Sequence, residues 1–250
     1  MHWPKFNGRA VALFLDFDGT LADLAAQPQD VRVEPGLVAL LRRLLDQLDG
    51  ALAIVTGRPV DDIDRFLAPL RLPVAGIHGA QGRRADGRRW QLAAPPLALV
   101  EAVARALQAE HPGLQLERKA GALALHYRHA PQAADACRQR LAEAVAAQPG
   151  LELLHGKCVL EVKPAGVHKG QAIERFLAEP PFAGREPAFA GDDVTDEAGF
   201  ETVLRLGGQA CKVGEGPTCA PQRLAGPAEL HRALAQWSQH LAGRSEGSPA

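Results

Sequence analysis

The sequence predicts an α/β protein, built as a doubly wound parallel sheet with a smaller α+β module inserted into it. Three observations carry this prediction. Short runs without a polar residue, at Val11–Leu15 and Ala51–Val55, read as strands buried on both faces, and each is followed by a helical stripe. From about residue 83 the texture changes to helix, hairpin, helix, hairpin, and near residue 166 the first texture returns. The main domain is therefore expected to be discontinuous, at 1–82 and 166–250, with the inserted domain at 83–165.

Taken in order, Val11–Leu15 opens the sheet. Residues 35–50 carry Leu37, Val38, Leu41, Leu44, Leu45 and Leu48, a helical stripe that begins at Pro35 and ends at Gly50. Ala51–Val55 is the second strand, Asp61–Leu67 a helix, and Val74–Ile77 a short third strand ending at His78 and Gly79. The stretch 83–89 is charged and turn-like. In the insertion, periodicity and breakers place a helix at 96–110, strands at 114–118 and 122–127 around Ala120 and Gly121, a helix at 131–148, and strands at 151–154 and 158–162. Such an order packs helices on one face of an antiparallel sheet. The main domain resumes with a helix at 170–177, a strand at 187–190, an acidic loop, and a strand at 210–213. Residues 245–250 form a small-residue tail that is expected to be mobile.

Composition narrows the function. With 250 residues, 46% of them hydrophobic, the chain can bury a sizeable core. A formal charge of -1, spread along the chain, leaves no electrostatic footprint for nucleic acid. No apolar run approaches the roughly 18 residues that span a bilayer, and the first residues lack a signal-peptide pattern. A cytoplasmic monomer with no membrane partner is expected. Cys137, Cys158, Cys211 and Cys219 have neither disulfide-framework nor zinc spacing, which favours reduced thiols.

The chemistry concentrates where strands end. Asp16 and Asp18 follow the first apolar run one residue apart, so a strand's period of two turns both carboxylates to one side, and Gly19 permits a sharp turn. Two such charges persist when a cation sits between them or one takes up a proton. Thr56-Gly57-Arg58-Pro59 falls between a strand and a helix, where the Thr56 hydroxyl and backbone N–H groups can hold a phosphoryl oxygen. Arg58 either reaches a substrate or pairs with Asp61 or Asp62. Lys169, before another helix start, offers a point charge to a phosphate oxygen. Asp192, Asp193 and Asp196 form an acidic loop that calls for a hard cation such as Mg2+ held through oxygen. One task joins these tools, the transfer of a phosphoryl group, with Asp16 as nucleophile and Asp18 as general acid and base.

These motifs, in this order, resemble those of the haloacid dehalogenase superfamily of Mg2+-dependent phosphohydrolases: Asp-Phe-Asp-Gly-Thr-Leu at 16–21, Thr-Gly-Arg at 56–58, Lys169, and Gly-Asp-Asp-Val-Thr-Asp-Glu at 191–197. The resemblance implies a Rossmann-like sheet with a C2-type cap. It implies Asp16, Asp18 and Asp192 as metal ligands, Asp18 through its backbone carbonyl. Thr56, Gly57 and Lys169 would bind phosphate, with Asp193 and Asp196 as outer-shell groups. More narrowly the chain is similar to trehalose-6-phosphate phosphatases, in Gly-Ile-His-Gly-Ala at 76–80, Leu-Glu-Arg-Lys at 116–119, Ala-Leu-His-Tyr-Arg at 124–128 and Leu-Glu-Val-Lys-Pro at 160–164. That likeness implies a phosphorylated disaccharide as substrate, with Glu117, Lys119 and Glu161 on the sugar and Arg58 and His78 as further substrate contacts. Gln81 departs from the Glu that follows His-Gly-Ala in that family. Two alternatives stand beside this reading: another sugar-phosphate phosphatase of the superfamily, and a non-catalytic regulatory domain.

Overall fold

The computed structural model describes residues 3–4, 10–25, 27–93, 96–119, 121–156 and 158–245, without the side chains of Pro28, Lys119, Arg244 and Ser245. Two compact units result, one of residues 1–90 and 168–250 and one of residues 91–167. The expected tail at 246–250 and the turn residue Ala120 lie outside the described residues.

In the first unit the chain runs β1 (Val11–Leu15), α1 (Leu37–Gln47), β2 (Leu52–Val55), α2 (Val60–Phe66), β3 (Val74–Gly76), β4 (Gln81–Arg83) and β5 (Arg89–Gln91). In the second unit it runs α3 (Ala98–Glu110), β6 (Gln115–Lys119), β7 (Ala122–His126), α4 (Ala134–Ala146), β8 (Leu151–Gly156) and β9 (Val159–Pro164). The first unit then closes with α5 (Lys169–Leu177), β10 (Glu186–Gly191), α6 (Glu197–Arg205), β11 (Gln209–Val213), β12 (Gln222–Leu224) and α7 (Pro227–Ser245).

The main sheet has the order β12-β11-β10-β1-β2-β3-β4-β5 and is parallel from β12 to β3. All five residues of β1 are buried, as a strand covered by helices on both faces requires. Its neighbours β2 and β10 come from sequence segments more than 130 residues apart, which places the ends of β1 and β10 side by side. Leu37, Leu40, Leu41 and Leu44 form the buried stripe of α1. Each such leucine contributes about 1.5–3 kcal/mol by leaving water.

The second unit is antiparallel, in the order β6-β7-β9-β8. Leu123, Leu125, Leu160 and Val162 pack in one core with Val100, Leu107, Cys137 and Leu141 from α3 and α4. The alternate residues of β6, β7 and β9 face away from that core.

The structure departs from the sequence-based expectation at the end of the first half of the sheet and in its C-terminal elements. The charged stretch at 83–89 is not the start of the insertion: β4 and β5 extend the main sheet, and the unit boundaries fall near 91 and 167 in place of 83 and 165. Charge hid these strands, because Arg83 is buried with its guanidinium spent on Asp64 and on the Leu72 carbonyl. Trp90 seals the hairpin, donating to the Gly79 carbonyl at 3.1 Å and meeting Phe176 edge-on. The helices α6 and α7 and the short β12 also escaped the reading. In α7, Leu230, Leu234 and Trp237 do form a buried stripe, diluted by the polar residues around it. Among the described residues, no helix is long and apolar enough to cross a membrane.

Candidate active site

The site begins where β1 ends. The Asp16 N–H donates to the Ala190 carbonyl at 2.9 Å, so sheet pairing continues to the first carboxylate. Phe17, fully buried, then anchors a tight loop in which its carbonyl accepts from Leu21 and Ala22 N–H, both at 2.9 Å. Gly19 has φ +75°, and a Cβ there would fall 2.0 Å from Asp192 Oδ2. Only glycine lets the loop pass that close to the acidic segment after β10.

The end of β2 supplies the second loop. Thr56 Oγ1 accepts from the Arg58 N–H at 3.1 Å, and the Thr56 carbonyl accepts from His78 N–H at 2.9 Å. Ile77 and His78 both take positive φ, 49° and 55°. A β-branched residue adopts that conformation only under constraint, and here it seats the His78 ring against Gly57. Of the two neighbouring carboxylates expected, Arg58 reaches only Asp62, at 3.9 Å; its guanidinium forks first onto Asp18, 40 residues away in sequence. The guanidinium also lies 4.9 Å from the Phe66 ring centroid, which holds it flat.

Lys169 opens α5, after the His168 N-cap whose Nδ1 accepts from Gln171 N–H. Gly170 permits close packing on α6, since a Cβ would meet Thr202 Oγ1 at 2.3 Å. Lys169, 2% exposed, donates through its ammonium to Asp16 Oδ1 at 2.7 Å and to Asp196 Oδ1 at 2.6 Å. Asp196, wholly buried, uses its other oxygen to accept from Asp192 N–H at 3.0 Å and Asp193 N–H at 2.9 Å. It thus organises the acidic loop from within. Asp193 completes a reciprocal cap with Asp196 at the turn 194–196. Thr20, unassigned by sequence reasoning though part of the first motif, lies 3.3 Å from both Asp16 Oδ2 and Asp192 Oδ1.

Electrostatics at this point is unfavourable without a further positive charge. Burial pushes the Asp16 carboxyl well above the usual range, Lys169 opposes the rise, and Asp196 and Asp192 add to it. Burial, then Asp196, push Asp192 up to about 6. Lys169 stays protonated well above its ordinary range, because Asp16 and Asp196 outweigh the cost of burying it. Asp16, Asp192 and Asp196 each offer an oxygen within 4.8 Å of the others. This all-oxygen donor set, three carboxylates against one ammonium, fits a hard divalent cation. Asp18 stands outside that group, its carboxylate turned to Arg58.

The second unit carries the residues proposed for the sugar. Glu117 of β6 and Glu161 of β9 pair opposite Ala124 of β7 from its two sides, so they share one row and one face of the sheet. Two strand spacings, about 10 Å, separate their backbones. His126 Nε2 lies 3.0 Å from Glu117 Oε2. Lys119 pairs with Ala122, and its side chain lies outside the described residues. Gln81 sits on β4 opposite Gly76.

The doubly wound sheet, with an Asp-x-Asp loop after β1 and a carboxylate loop after β10, is the haloacid dehalogenase fold. A structure described as a phosphatase of that superfamily from Bacteroides thetaiotaomicron shares the fold, with TM-score 0.65 at 16% identity over 96% of this chain and 97% of the other. Residues 14–226 match the family model described as trehalose-phosphatase, and the chain belongs to that family. It is 43% identical over 230 residues to the trehalose-6-phosphate phosphatase of Escherichia coli (strain K12), covering 89% of this chain and 84% of the relative. A crystal structure of a trehalose-6-phosphate phosphatase related protein aligns with TM-score 0.78 and 30% identity, over 94% of this chain and 99% of that one.

Proposed function

We propose that this protein hydrolyses trehalose 6-phosphate to trehalose and inorganic phosphate, through an aspartyl-phosphate on Asp16 and with Mg2+. The observation that carries the reading is Asp16 itself: a buried carboxylate at the end of the central strand, one oxygen on Lys169 and the other beside Thr20. Sequence identity to relatives bearing the phosphatase name supports the choice of substrate.

In this mechanism Asp16 attacks phosphorus in line and the bond from phosphorus to the sugar oxygen breaks. Asp18 gives its proton to that oxygen as it leaves. Asp18 then takes a proton from water, which attacks the aspartyl-phosphate, frees phosphate and restores Asp16. Asp16, Asp192 and the Asp18 carbonyl would hold Mg2+, which would neutralise charge on the transferring group. Lys169 and the Thr56–Gly57 loop hold phosphoryl oxygens, and Glu117, Lys119 and Glu161 engage sugar hydroxyls. Phosphate monoesters are so inert that catalysed accelerations reach about 10²¹-fold, which makes preorganised charge the main resource.

The test is phosphate release by the purified chain across a panel of sugar phosphates, with and without Mg2+, with Asp16→Asn as control. Trehalose 6-phosphate should be the preferred ester, release should need the metal, and the variant should lose on the order of 10⁴-fold or more. Preference for another sugar phosphate would move the assignment within the superfamily. Absence of release from every ester would leave a regulatory domain.

A further inference from the structure

We infer that Lys212 is a positioning residue of the acidic loop, fixing the Asp192 peptide so that its carboxylate is presented to the cation. The inference rests on the reading of Asp16 and Asp192 as cation ligands.

Lys212 lies on β11 and pairs in register with Gly191, the residue before Asp192. Only 3% of it is exposed, and its ammonium donates to the Asp192 main-chain carbonyl. Among the described residues no carboxylate lies within ion-pair distance of it; Asp16 and Asp196 belong to Lys169. A buried ammonium satisfied by a backbone carbonyl is a costly way to fill space, and an apolar side chain of the same length would fill it without that cost. What the charge does achieve is local. The N–H of Asp192 is tied to the Asp196 carboxylate, and its carbonyl is tied to Lys212. Both ends of the residue are therefore held by charged groups, leaving the side chain to meet the ion beside Asp16. Charge-assisted bonds at both ends define the peptide plane more tightly than neutral ones would.

Groups behind a metal ligand of this kind typically govern 10–100-fold in metal affinity. The experiment is calorimetric titration of Mg2+ into the metal-stripped full chain for wild type, Lys212→Met, Lys212→Gln and Asp192→Asn, with thermal melts of the same samples without metal. Lys212→Met should melt within a few degrees of wild type yet bind Mg2+ 10–100-fold more weakly. Lys212→Gln, which keeps a donor at a shorter reach, should fall between the two. A purely structural role would move the melts and leave the titrations alone. Wild-type Mg2+ affinity in Lys212→Met overturns the inference; should that variant not fold, unchanged affinity in Lys212→Gln does so. Undiminished binding by Asp192→Asn would instead refute the cation-ligand reading on which it rests.

Discussion

Arg58 forks onto Asp18, Nε to Oδ2 at 2.6 Å and Nη2 to Oδ1 at 2.7 Å, and so ties the loop after β2 to the loop after β1. The pair holds the Asp18 carboxylate in one orientation, away from the Asp16, Asp192 and Asp196 group. In the proposed mechanism Asp18 would give up part of this fork, taking a proton in its place, before protonating the sugar oxygen. Arg58 therefore sets the resting orientation of the Asp18 carboxylate.

Removal of the fork should cost turnover more than substrate binding. Arg58→Met should lower kcat by about 10²-fold, and Arg58→Lys should not restore it, since a point charge cannot make two parallel bonds. Steady-state phosphate release measures both. An unchanged kcat would show that Asp18 needs no such partner.

Glu161 shares its sheet row with Glu117 across Ala124. If the row binds sugar, Glu161→Ala should reduce kcat/KM for trehalose 6-phosphate by about 10–100-fold, the effect of stranding polar groups of the substrate. A small aryl phosphate, which has no disaccharide to place, should be hydrolysed almost as before. Equal losses on both esters would place Glu161 outside substrate recognition.

The acidic group makes a prediction with a definite sign. Burial and the neighbouring Asp196 hold the metal-free Asp192 near 6, above its unfolded value near 3.9. Its contribution to the stability of the metal-free fold is complete below about pH 4 and is lost as pH rises through about 6. A cation needs the ionised form, so Mg2+ binding should strengthen across the same window as the proton leaves. Thermal melts with and without Mg2+ should show a metal-induced rise in Tm that grows from pH 5 to pH 7. A rise independent of pH would mean that Asp192 does not hold the ion.

Away from the site, the Asp64–Arg83 fork should support the sheet edge. The hydrogen bonds from Arg83 hold the Asp64 carboxyl below its usual range against partial burial, with the charges of Arg83, Arg71 and Arg89 assisting. A lowered folded-state value means that the contribution is present above about pH 4 and fades as pH falls toward that lowered value. Asp64→Asn should cost about 1–3 kcal/mol in urea unfolding at pH 7, and the difference should shrink at pH 3. A constant difference would assign the cost to packing.

The sequence by itself determined the parts that are local. Apolar runs made β1 and β2 recognisable because buried parallel strands need apolar residues on both faces, and the helix–hairpin repeat marked the insertion because its amphipathic periods are intact. Asp16, Thr56, Lys169 and Asp192 could be picked out singly because each sits at a strand end or helix start that the sequence already announces. Tertiary structure decided which of them touch. Lys169 meets Asp16 from 153 residues away and Arg58 meets Asp18 from 40. Asp196, read as an outer-shell group, is the buried carboxylate that binds two loop amides and a lysine. Arg83 lay in a stretch read as charged and turn-like, and nothing singled out Lys212, because a one-dimensional pattern carries no record of a partner on a distant element. Pairing at that range depends on sheet order and register, and on the burial that makes an ion pair or a charged hydrogen bond necessary.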